Sequence, residues 1–129
     1  MRKLNIPVST PRLSLREFVA ADFDAVLAYS SDARVTRYLF FGPRDADSTA
    51  EYLEELLLSQ RETPRTRFEL AVEESVTGRL IGACDLSLIE RNVADLGYML
   101  ELSAWGKGYA TEIATSLLEA AFLDRKSVV

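Results

Sequence analysis

Leu13, Leu15 and Phe18 fall on a roughly alternating pattern with Arg12, Ser14 and Arg16 between, and Pro7 and Pro11 keep the preceding chain extended, which predicts a first strand. Helical spacing follows at Phe23, Val26 and Leu27, with Asp22 placed to cap it and Ser30-Ser31 to end it. A second helical turn is expected over Ala33 to Tyr38. Beyond the break at Gly42-Pro43, Asp47, Ser48 and Thr49 offer caps for a helix through Leu53, Leu56 and Leu57 to about Arg61, which Thr63-Pro64 ends. Phe68, Leu70 and Val72 then alternate with Glu69, Ala71 and Glu73, and a turn over Glu74 to Gly78 leads into Leu80 to Leu88, so these segments form a hairpin. Arg91-Asn92 makes another turn. Ala94 to Glu101 reads as a further strand, with Gly97 marking a bulge or a close backbone approach.

The last helix carries the clearest period: Ala110, Ile113, Ala114, Leu117, Leu118, Ala121 and Phe122 make one apolar stripe. Strand, helices, three antiparallel strands and a final helix give an α+β class, with a mixed, largely antiparallel sheet flanked by helices. With 129 residues and 48% apolar content, one core and one domain over residues 1–129 are expected.

Composition narrows the chemistry. Cys84 is the sole cysteine and histidine is absent, which excludes disulfide frameworks, the usual zinc sites and His-based triads, so no metal is expected. Cys84 lies in the apolar run Leu80-Ile81-Gly82-Ala83-Cys84 and reads as a core thiol rather than a nucleophile. The net charge of −5 argues against nucleic acid as a partner and suits a cationic amine. No run is long enough to span a membrane and Met1 to Thr10 has no apolar leader stretch, so a cytoplasmic location is expected.

Between the last strand and the last helix stands Trp105-Gly106-Lys107-Gly108-Tyr109-Ala110-Thr111-Glu112. Two glycines allow close backbone approach, and the unpaired N–H groups of a helix start, reinforced by the helix dipole, bind phosphate. The plainer alternative is a glycine turn beside a solvated Lys107. A P-loop fails, because Glu101 stands at its first glycine and Gly108 where Ser or Thr is needed. A dinucleotide fingerprint fails too, with Thr111 at its third glycine and antiparallel strands before it.

The stretch Gly97 to Phe122, with Gly97-Tyr98 in a strand and the Trp105–Glu112 loop before an apolar helix, resembles the acetyl-coenzyme A motif of the GNAT acetyltransferases. The opening Thr10-Pro11-Arg12-Leu13-Ser14-Leu15-Arg16, the Asp32-to-Tyr38 segment and Gly78-Arg79-Leu80-Ile81-Gly82 are similar to the RimJ/RimL-type ribosomal-protein N-acetyltransferases. Trp105 stands where the general motif has Arg or Gln, a substitution common in that branch.

The resemblance implies that the N–H groups of Gly106, Lys107, Gly108, Tyr109, Ala110 and Thr111 cradle the pyrophosphate of acetyl-coenzyme A. It implies that the strand ending Met99-Leu100-Glu101-Leu102 hydrogen-bonds the pantetheine arm. A neutral amine, a protein amino terminus or a small amine, then attacks the thioester directly. An N–H near Met99 or Leu100 is the candidate oxyanion donor. Glu101, at the end of that strand, is the first candidate for general base, with Glu69 and Asp85 next. Tyr98 and Tyr109 are expected to pack. The family continues past its motif helix with another strand, a helix and two more strands, so a carboxy-terminally short domain is expected. A homodimer held by strand pairing or by exchange of Ser127 to Val129 would cover the exposed edge. The rival reading is a non-catalytic module that binds coenzyme A weakly or acts through dimerisation.

Overall fold

The structure, a computed structural model, describes residues 4–37, 39, 42–90 and 93–123. The turn expected at Arg91-Asn92, Tyr38 and the segment Ser127 to Val129 lie outside those residues. Five strands run in chain order across one antiparallel sheet: β1 Val8–Ser9, β2 Leu13–Arg16, β3 Arg67–Glu74, β4 Leu80–Glu90 and β5 Val93–Leu100. Helices α1 Phe23–Ser30, α2 Ala33–Thr36 and α3 Ala46–Ser59 lie between β2 and β3; α4 Tyr109–Leu118 follows β5 and ends in a π-type turn at Glu119–Leu123.

The alternation read from β3 divides the core. Phe68, Leu70 and Val72 pack with Leu13, Leu15, Ile113 and Leu117 in the cluster under α4. Ala71, Ala83 and Met99 sit side by side across β3, β4 and β5 and meet Phe18, Val26, Tyr29, Leu53 and Leu56 on the opposite face. Cys84 is buried in the α4-side cluster, where desolvation pushes its thiol up and keeps it unreactive.

Several local expectations shift. Asp22 does not cap α1 with its side chain; its carboxylate accepts from the Val19 N–H at 2.9 Å and from the Arg16 guanidinium at 3.0 Å. Burial would raise the Asp22 carboxyl, but the Arg16 and Val19 donors prevail and hold it below its ordinary value. The cap of α3 is Asp45, which accepts from the Ser48 N–H at 2.8 Å while Ser48 Oγ accepts from the Asp45 N–H at 3.0 Å. β5 ends at Leu100, and Leu102 belongs to a 3₁₀ turn over Leu102–Ala104, so it is not a strand residue. The buried ridge of α4 and its final turn is Tyr109, Ile113, Leu117 and Ala121, whereas Leu118 is 39% exposed. A helix on one flat sheet face buries a narrow i, i+4 row, less than its whole apolar stripe.

β4 carries the tightest backbone approach. Val72 pairs with Gly82 while Glu73 pairs with Leu80, leaving Ile81 as the extra residue of a bulge. A Cβ on Gly82 would lie 2.1 Å from the Met99 carbonyl oxygen and 2.9 Å from the Leu100 Cα, both backbone atoms. Gly82→Ala is therefore expected to destabilise the fold by about 1–3 kcal/mol, seen as a lower urea midpoint at unchanged slope. Gly42→Ala, where nothing lies within 4 Å, serves as the neutral control.

Candidate functional site

The loop between β5 and α4 turns on two left-handed glycines, Gly106 at φ +76° and Gly108 at φ +80°. No atom would obstruct a Cβ at Gly106 within 4 Å, so the requirement there is conformational rather than spatial. Gly108 is the N-cap of α4, and its carbonyl accepts from the Glu112 N–H at 3.1 Å. The N–H groups of Tyr109, Ala110 and Thr111 consequently have no acceptor within the helix, and they stand at the positive end of its dipole. Lys107 is exposed on the loop.

The loop rests on the turn between β1 and β2. Glu112, in the first turn of α4, accepts from the Thr10 hydroxyl at 2.5 Å, the Arg12 N–H at 2.7 Å and Arg12 Nε at 2.7 Å. Burial would raise the Glu112 carboxyl, but these donors outweigh it and hold it low. Arg12 Nη2 also donates to the Lys107 carbonyl at 2.8 Å, and Tyr109 donates its hydroxyl to Glu74 at 3.1 Å. Thr10, Arg12 and Glu112 stand within the sequence motifs, but no role for them follows from the sequence. The only local signal was a carboxylate in a helix's first turn.

The end of β5 is shaped by main-chain bonding. The Glu101 N–H donates to the Ile81 carbonyl at 2.8 Å, facing β4, while the Leu100 carbonyl accepts from the Trp105 indole at 2.9 Å. Backbone groups alternate sides along a strand, so the Leu100 N–H faces the open edge and the main chain of Met99 faces β4. Of the two candidate oxyanion donors, geometry leaves Leu100. A cleft of about 460 Å³ follows this edge, walled by Tyr98, Met99 and Leu100, by Ala104, Trp105 and Gly106, by Gly108 to Thr111, and by Val35 and Leu39. Leu102 is not in that wall; Ala104 stands there. Tyr109 is packed as expected, but Tyr98 is 55% exposed and lines the cleft.

A second cleft of about 780 Å³ shares Leu39, Tyr98 and Met99 with the first and runs between α3 and the sheet. Glu69, Asp85 and Gly97 lie side by side across β3, β4 and β5, one row from Met99. A Cβ at Gly97 would stand 2.5 Å from Asp85 Oδ1, so where the sequence suggested a bulge or a close backbone approach the glycine makes room for a carboxylate side chain. The Tyr52 hydroxyl donates to Glu69. Burial pushes the Glu69 carboxyl up, with the Asp85 charge adding to the rise and Tyr52, Arg67 and Arg44 opposing it. Burial likewise raises Asp85, opposed by Arg67. Glu101 is turned elsewhere: its Oε1 accepts from Arg79 Nη2 at 2.6 Å and from the Ser103 hydroxyl at 3.0 Å.

Among known proteins, the chain is 33% identical to the uncharacterized N-acetyltransferase p20 of Bacillus licheniformis over 88% of its own length and 64% of that relative's. It thus spans about two thirds of the curated relative. The fold matches a GNAT-family acetyltransferase from Bacillus anthracis at a TM-score of 0.76 and 22% identity, covering 92% of this chain and 68% of that one. It also matches RimL, a ribosomal L7/L12 alpha-N-protein acetyltransferase solved with coenzyme A, at a TM-score of 0.68 and 22% identity over 88% and 64%. Among the described residues no helix is long and apolar enough to cross a membrane. Residues 12–128 match the acetyltransferase (GNAT) domain, a span that takes in the loop, the strand edge and both clefts, and the chain belongs to the GNAT acetyltransferase family.

Proposed function

We propose that this protein is an N-acetyltransferase that binds acetyl-coenzyme A along the outer edge of β5 and transfers the acetyl group to a primary amine. Its acceptor is a protein amino terminus, in the manner of the RimJ/RimL branch, or a small amine. The observation that carries the reading is the meeting of two clefts at Tyr98 and Met99, one ending on the glycine loop and the other lined by Glu69 and Asp85. Donors at Gly106 to Thr111 suit a pyrophosphate, and the apolar wall of Met99, Leu100 and Ala104 suits a pantetheine arm.

The Leu100 N–H would hold the charge that develops on the thioester oxygen as the amine attacks. An α-amino group titrates near ~8, so a modest base is enough to free its lone pair. Glu69 and Asp85 suit that task better than Glu101. They line the acceptor cleft, and burial raises their affinity for a proton. The Glu101 carboxylate is instead occupied by Arg79 and Ser103. Among the described residues β5 has no neighbour on its outer side, and Val93 and Leu96 leave apolar surface exposed there, which supports a homodimer paired through the first half of β5. Met99 and Leu100 then stay free for the coenzyme.

Gly108→Val should abolish coenzyme A binding, because a β-branched residue cannot keep the left-handed backbone, and Lys107→Ala should weaken it only a few-fold. Trp105 is the sole tryptophan and lines the cleft, so its fluorescence reports both titrations. Unchanged affinity in Gly108→Val would remove the loop from the site.

Acetylation of a panel of amines should fall by about 10²–10⁴-fold in Glu69→Gln or Asp85→Asn, whichever is the base, with coenzyme A affinity retained. A base must be ionised, so the acid limb of the rate profile should lie above the ordinary carboxylate range, in keeping with the upward shifts of both groups. A comparable loss in Glu101→Gln alone would return the role to that residue. Coenzyme binding without turnover of any amine would favour the non-catalytic module. Light scattering at micromolar concentration should give the mass of a dimer; a monomer would reject the assembly.

A further inference from the structure

The glycine loop has little side-chain substance to hold its own shape, since two of its residues carry none and a Cβ at Gly106 would meet nothing within 4 Å. Its support comes from 95 residues earlier in the chain, where Arg12 Nη2 donates to the Lys107 carbonyl at 2.8 Å. The same guanidinium donates through Nε to Glu112 at 2.7 Å and lies 4.4 Å from the Tyr109 ring centroid. Arg12 therefore touches the loop, the first residue of α4 and the end of that helix's first turn together. Glu112 completes the arrangement by accepting from the Arg12 N–H and the Thr10 hydroxyl, which ties the β1–β2 turn to the helix start.

The geometry of a peptide unit gives this contact a directional effect. The carbonyl of Lys107 and the N–H of Gly108 belong to one planar trans unit and point in opposite directions. Holding the carbonyl against Arg12 turns the Gly108 N–H to the side away from Arg12, and Gly108 lines the coenzyme cleft. Electrostatics works in the same sense. A lone carboxylate at Glu112 would sit in the first turn of α4 and repel a diphosphate at the donors beside it, and pairing with Arg12 cancels that charge. The Arg12 side chain is 47% exposed, so the ion pair contributes little to folding. Its consequence lies in the loop.

We propose that Arg12 and Glu112 are positioning residues for the coenzyme: together they aim the main-chain donors of the glycine loop at a diphosphate, and Arg12 neutralises the Glu112 carboxylate beside it. The proposal rests on the coenzyme reading of that loop. Arginine is needed for its fork, because one planar group serves a carbonyl and a carboxylate at fixed angles, which a lysine ammonium does not reproduce.

The test compares coenzyme A with pantetheine, which lacks the diphosphate, by calorimetry on the full chain and on Arg12→Met, Arg12→Lys and Thr10→Val. Loss of a charge-assisted bond of this kind should raise the coenzyme A dissociation constant about tenfold in both Arg12 variants and by less in Thr10→Val. The weaker pantetheine affinity should not change. That selectivity is what a merely structural role would not produce, and thermal melts by circular dichroism establish that each variant is folded. If Arg12→Met fails to fold, Arg12→Lys and Thr10→Val carry the comparison. Unchanged coenzyme A affinity in the folded Arg12 variants, an equal loss for pantetheine, or full restoration by lysine would each overturn the proposal. No coenzyme A binding by the wild type would overturn the functional reading and this inference with it, whereas binding by the wild type that all three variants match removes the inference alone.

Discussion

The Glu101 N–H is bonded to the Ile81 carbonyl, and from that one contact the direction of every main-chain group at the end of β5 follows. The Leu100 N–H and carbonyl must face away from β4, and Trp105 satisfies the carbonyl from the next segment of chain. The strand can sit this close to β4 only because Gly82 has no side chain to meet the Met99 carbonyl. An edge held so tightly on one side presents its other side as a fixed row of donors and acceptors. Fixed groups of that kind are what a site needs if it is to act without reorganising.

The second cleft rests on a different compromise. Glu69 and Asp85 are neighbours across β3 and β4 on the face covered by α3, and burial disfavours the charged form of both. Tyr52 offers Glu69 a hydroxyl, Arg67 lowers both carboxyls, and Gly97 leaves Asp85 room to lie over β5. The sheet therefore gives up apolar contacts in this row, whereas the next row of Ala71, Ala83 and Met99 belongs to the buried apolar cluster on that face. The change from carboxylates to core within one row places polar groups beside the wall that the two clefts share. Without such a change the second cleft would be another piece of core.

Features that depend on near neighbours were legible before any coordinates. The alternation of Phe68, Leu70 and Val72, the period of Ile113, Leu117 and Ala121, and the glycines before the last helix each act within a few residues, and each stands where its pattern puts it. The glycine loop was legible for the same reason, since left-handed backbone and a helix start are local demands. Local signals failed where two partners competed for one group. Asp22 has the chemistry of a cap, yet Arg16 reaches it from the end of β2, and the cap of α3 fell to Asp45 because Ser48 could answer it.

The sequence by itself therefore determined most of the elements, the short β1 at Val8–Ser9 excepted, their order and the phosphate-suited loop, because backbone conformation and hydrophobic period are written into neighbouring residues. Only the tertiary structure decided that Thr10 and Arg12 support that loop across about a hundred residues of chain, as their separations of 102 and 100 positions from Glu112 show. It also decided that Glu101 turns to Arg79 while Glu69 and Asp85 share a cleft with Met99. Strand register brought those carboxylates together. Register depends on pairing between segments distant in sequence, which no local pattern records.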